Sequence, residues 1–65
     1  MLLKTFYRPD QDKNPDGEPQ IKDIEYMIVP RISEQVIIDD IYYTVKYVVH
    51  NTDDNSIVIN LNLIV

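Results

Sequence analysis

Residues 36–49 read VIIDDIYYTVKYVV, and whether they form one helix or two strands decides the fold. Ile38, Ile41, Tyr42, Val45 and Val49 can be laid on one helical face, with Ser33 placed to cap it. Composition argues the other way. Apart from Asp39-Asp40 and Lys46, every residue here is β-branched or aromatic, a type that loses χ1 freedom in a helix and packs well on a pleated surface. A helix would also bury Asp40 or Lys46 beside its apolar stripe. The stretch therefore reads as two strands joined by a tight turn at Asp39-Asp40.

Working outward, the chain after it alternates with a period of two. Ile57, Ile59, Leu61, Leu63 and Val65 fall on one face, and Val58, Asn60, Asn62 and Ile64 on the other. Asn51-Thr52-Asp53-Asp54-Asn55-Ser56 between these segments is a run of turn formers, so 42–50 and 57–65 make an antiparallel hairpin. The spacing from Val45 to Val48 is one residue too long for strict alternation, which implies a β-bulge. Before it, 30–34 is a wider turn. Residues 21–29 are a further strand with Ile24, Tyr26 and Ile28 on one face. At the front, 2–7 is a short apolar, aromatic segment. Residues 9–20 hold three of the four prolines and the only glycine, and read as an acidic loop.

Five short strands in 65 residues make one domain, too small for two sheets of four and suited to an all-β, antiparallel small barrel or rolled sheet. A chain this short is near the lower limit of independent stability and calls for an added staple. It has no cysteine and one histidine, His50, which closes the disulfide route and excludes thiolate zinc. Self-association is the expected staple. The stretch 55–65 carries no charge, and its outward Val58 and Ile64 are candidates for the oligomer interface.

Only one stretch matches a chemical motif. In DKNPDGEPQIKD, residues 12–23, Asp12, Asn14, Asp16 and Gly17 occupy positions one, three, five and six of a calcium-loop pattern, with Asp23 at position twelve. Asp23 is a methylene shorter than the usual glutamate, and Pro19 replaces the apolar residue at position eight. Pro9 and Pro15 argue against flanking helices. A solvated acidic loop is the expectation, with no metal and no cofactor. Catalysis has equally little support, because Ser33, Ser56 and the paired aspartates sit where turns want them. No apolar run approaches the about 20 residues needed to span a bilayer, nor is there a signal-peptide core, so a cytoplasmic protein is expected.

The net charge of −5 disfavours long nucleic acid. The cations, however, stand beside rings: Tyr7 with Arg8, and Tyr42 and Tyr47 around Lys46. Such pairs suit a small nucleotide, stacked on a ring with its phosphate on arginine. Tyr7, Arg8, Arg31, Tyr42, Lys46, Tyr47 and His50 form the candidate ligand-binding set, against a plainer reading in which they are a mixed-charge sheet surface.

The pattern Pro30-x-x-Ser33-Glu34-x-Val36, Asp39-Asp40, Tyr43-x-Val45-x-x-Val48, Ile57-x-Ile59-x-Leu61 resembles small SH3-like or Sm-like β-barrel proteins of phages and prophages. It spans roughly the C-terminal 35 residues. Those proteins usually carry glycine in place of Ser33 and often in place of Asp40. Some of them oligomerise and sequester the nucleotide signals of bacterial immunity. The resemblance thus implies a homo-oligomeric, non-enzymatic sponge in the bacterial host cell. The alternative is a protein-interaction or virion-assembly adaptor that acts by strand addition.

Overall fold

The computed structural model describes residues 1–14 and 16–64, so the expectations for Pro15 and Val65 fall outside the described residues. Five strands and no helix are present among them: β1 Leu2–Tyr7, β2 Gln20–Glu25, β3 Gln35–Ile38, β4 Ile41–Asn51 and β5 Ser56–Leu63. Residues 36–49 are two strands, and the helical alternative is absent. The strands form one sheet, ordered β2-β1-β5-β4-β3 and curled into a half-barrel.

The expectation of a strictly antiparallel barrel is corrected by the middle of this sheet. β1 and β5 pair in parallel, with Lys4 opposite Val58, Thr5 opposite Ile59 and Phe6 opposite Asn60. The reason is parity. Five successive strands that each reverse direction leave the first and last pointing the same way, so their pairing must be parallel. The order is a ring of neighbours closed between β1 and β5 and open between β2 and β3, which share no register. β5 is therefore a central strand, and its lack of charge follows from two paired edges rather than from an unprotected one.

The core lies on the concave face. Leu3, Tyr7, Ile38, Tyr43, Val45, Ile59 and Leu61 are buried together there with Thr5. The bulge stands where the sequence placed it. Val45 opposes Leu61 and Tyr47 opposes Asn60, so Lys46 is the extra residue, and Val45 and Val48 both turn inward. One strand ends early. β2 stops at Glu25, and Ile28, expected on its inner face, is 70% exposed. Pro30, two residues on, has no N–H to donate to a ladder.

Turn chemistry explains the joints. Ile38 opposes Ile41 across a two-residue turn in which Asp39 and Asp40 both have positive φ (52° and 65°). That is the left-handed pair a type I′ hairpin needs, normally Asn-Gly. Ser33 (φ 75°) stands third in a turn closed by the Glu34 N–H donating to the Arg31 carbonyl at 3.0 Å. Ser33 and Glu34 together oppose Val45, giving a bulge of the kind that favours glycine at its first position. Ser33→Gly and Asp40→Gly should each raise stability by about 1 kcal/mol, the lower end of the left-handed penalty. Urea denaturation checks this, and a loss in either variant would contradict the turn assignment. The loop 52–55 is held by Asx-type bonds, the Ser56 N–H (3.0 Å) and hydroxyl (2.7 Å) both reaching the Asp54 carboxylate. Those bonds hold Asp54 below its ordinary carboxylate value.

The molecule measures 34 × 21 × 18 Å and exposes 4790 Å², against about 4,300 Å² for a closed globule of its mass. In residues 26–34, which connect β2 to β3, Met27 is 97% exposed, with Ile28 and Ile32 also outside.

Candidate functional site

The sequence-derived set divides into three places. Tyr7, Arg8, Lys46 and Tyr47 meet around one polar hollow of about 170 Å³, floored by Asn60, Leu61 and Asn62 of β5. The bulge creates it, since the extra residue brings Lys46 beside Tyr47, its ammonium 5.4 Å from the ring centroid. The loop after β1 forms the opposite wall. Gln11 accepts the Leu63 N–H at 2.9 Å and reaches Asn62 at 3.4 Å, while the Arg8 guanidinium donates to the Asn14 carbonyl. Tyr7 is only 5% exposed, and its ring lies edge-on to Tyr43 at 5.6 Å, so it offers no face to a stacked base. Tyr47 is the one tyrosine of the hollow with an exposed ring.

Arg31 and His50 are brought together elsewhere, in an apolar hollow of about 530 Å³ with Val29, Ile32 and Val48. Tyr42 belongs to neither. It stands on the convex face opposite Ile37, and its carbonyl accepts the Ile64 N–H at 3.0 Å. Val58 is half-buried on that face between Lys4 and Val49, and Ile64 is exposed at its margin.

A further hollow, which holds none of these residues, was not foreseen. On the other side of buried Pro30 lies a hollow of about 450 Å³ lined by Tyr26, Met27, Ile28, Glu34, Gln35 and Val36. It opens directly onto the outer edge of β3. Which backbone groups face that edge follows from the ladder. Val45 N–H donates to the Glu34 carbonyl at 2.8 Å, and Ile38 pairs with Ile41 across the two-residue turn. Even-numbered residues of β3 thus bond to β4, and the N–H and C=O groups of Gln35 and Ile37 point outward. β3 carries no charge and no proline, the usual protections of an edge. β2 is blunted by Lys22, Asp23 and Glu25. Pro30, which lies between β2 and β3 and has no N–H for a ladder, is the signal in the sequence that could have found this gap.

Among the described residues no group of three or more His, Asp or Glu could hold a metal ion. Asp23 belongs to β2, with Lys4 as its register partner. A Cβ at Gly17 would lie 2.7 Å from the Asn14 Nδ2 and 3.1 Å from an Arg8 nitrogen, both ends of side chains that can swing aside. Millimolar calcium should leave the melting temperature unchanged; a saturable rise abolished by Asp12→Ala with Asp16→Ala would contradict this.

Tyr26 and Thr5 share a hydroxyl contact at 3.0 Å beneath the mouth of the half-barrel, and burial pushes the Tyr26 phenol up against that bond's opposing pull. Among the described residues no helix is long and apolar enough to cross a membrane. No family model, curated protein or solved structure matches this chain.

Proposed function

We propose that the chain is a non-catalytic binding module that recruits another protein by accepting one of its strands on β3. The observation that carries this reading is the open ring: an uncharged edge with outward N–H and C=O groups on Gln35 and Ile37, beside an apolar hollow. Main-chain bonds to the edge supply affinity, and the hollow selects a side chain. An added strand would also complete the wall between β3 and β2, which fits the likeness to small SH3-like or Sm-like barrels. Ser33 and Asp40, where those proteins carry glycine, both have positive φ, which supports that likeness. The test is selection of peptides from a random library on the immobilised protein. Selected peptides should shift the Gln35 and Ile37 amide resonances and lose affinity for Ile37→Pro. Peptides that bind Ile37→Pro equally would overturn the reading.

One observation favours a second reading, in which the protein oligomerises and sequesters a small nucleotide. Arg8, Lys46 and Tyr47 converge on the polar hollow at the bulge. At about 170 Å³ it is below the usual range for small-molecule pockets, so it would take a phosphate group while the base stacked outside on Tyr47. A panel of cyclic dinucleotides and ADP-ribose derivatives should then raise the melting temperature, and Arg8→Ala should cost about 1.5 to 3 kcal/mol of binding. Self-association in this reading uses the convex face around Val58 and Ile64. A flat panel, or a monomer at micromolar concentration, would remove it.

A further inference from the structure

We infer that the strand received by β3 is apolar at its centre and basic at its ends; this rests on the strand-addition reading above and adds the partner's chemistry. The edge available is short. With Gln35 and Ile37 supplying all the outward backbone groups, it offers two donors and two acceptors. A partner residue opposite Val36 would turn its side chain toward the hollow lined by Tyr26, Met27 and Ile28, which takes a branched or aromatic group. The centre of the occupant is therefore apolar on alternate residues.

Charge fixes its ends. Glu34 precedes β3, and Asp39 and Asp40 follow it, all within one or two residues of the paired segment. Arg31 partly offsets Glu34, their side chains approaching to 3.8 Å, but nothing of opposite sign is paired with Asp39 or Asp40 among the described residues. An antiparallel segment long enough to cover β3 ends beside these carboxylates, so lysine or arginine there is favoured and acidic residues are repelled.

The same charges argue against a second copy as the occupant. Two-fold pairing of Gln35 with Ile37 of another copy would bring Glu34 of each within one position of Asp39 of the other. Like charges would then sit close together twice, on chains each carrying −5.

The experiment uses two capped seven-residue peptides that alternate valine and threonine, one with lysine at both ends and one with glutamate, titrated into the isotopically labelled protein. The lysine-ended peptide should shift Gln35, Ile37, Met27 and Ile28 and bind about fivefold more tightly at low salt, the ratio given by two exposed ion pairs totalling about 1 kcal/mol. N-methylation of its ladder-facing amides should abolish binding, a control that leaves the protein untouched should Ile37→Pro fold poorly. Equal affinity for the two peptides at β3 would overturn the basic chemistry and leave strand addition standing. Shifts confined to other residues, or none from either peptide, would overturn both. Concentration-dependent shifts of Gln35 and Ile37 without peptide would show a second copy there and overturn the proposal.

Discussion

Ile59→Ala should destabilise the protein by about 2 to 5 kcal/mol, the range for truncating a buried isoleucine when the cavity collapses only partly. Ile59 is fully buried (0% exposed) at the centre of the sheet, opposite Thr5 of β1 and Val48 of β4. A domain of this length has a total stability on the order of 3 to 10 kcal/mol, so this one change removes a large part of it. The fully buried apolar cluster is small, seven side chains among the described residues on a single concave face, so the space is refilled only in part. Val58→Ala, one residue away on the convex face, should cost less than about 1 kcal/mol. Urea denaturation of the two variants gives the comparison. Similar losses from both would mean that β5 does not present its two faces as described.

Tyr43→Phe should instead raise stability, by about 1 to 3 kcal/mol, the cost of leaving a buried polar group unpaired. Tyr43 is fully buried, and its hydroxyl has no hydrogen-bond partner among the described residues. Removing that oxygen keeps the ring in edge contact with Tyr7 and ends the unpaired burial. The same burial, together with the Tyr7 and Asp39 side chains nearby, pushes the Tyr43 phenol above its ordinary value of 10.0. A phenol raised in the folded state contributes stability that is whole below the unfolded value and is lost as pH rises through the folded one. The wild type should accordingly lose stability from about pH 10 upward. Tyr43→Phe should lose less, with the elevated Tyr26 accounting for part of the remainder. A destabilised Tyr43→Phe would show that the hydroxyl has a partner after all.

Much of the fold could be read in the residues because local preferences agreed with one another. β-branched density set the strands of 36–49, the period of two set the faces of β5, and the extra spacing from Val45 to Val48 located the bulge at Lys46. Asp39-Asp40 marked a tight turn, although only the backbone shows that both residues enter the left-handed region. The parallel β1–β5 pair was missed for a non-local reason: it depends on counting reversals along the whole chain. That arithmetic was available in the sequence.

The candidate site was less legible because exposure depends on which strands pair. Leu3, Thr5 and Tyr7 alternate, which assigns Tyr7 to the same inner face as Leu3 and leaves its ring no face for a stacked base. Arg8, Lys46 and Tyr47 meet because the β1–β5 pairing carries the loop after β1 over to Asn62, a contact across 51 positions. Arg31 and His50 are drawn to another hollow by the crossing at Pro30. The outer edge of β3 is visible only once β2 is known to end at Glu25 and to leave that edge unpaired.

The ring's single opening is tested most directly by cross-strand nuclear Overhauser contacts in the labelled protein. Backbone contacts should link Lys4, Thr5 and Phe6 to Val58, Ile59 and Asn60 in a parallel pattern, with none between residues 20–25 and 35–38. Contacts joining those two segments would mean a closed barrel with no edge to offer, and would contradict the account.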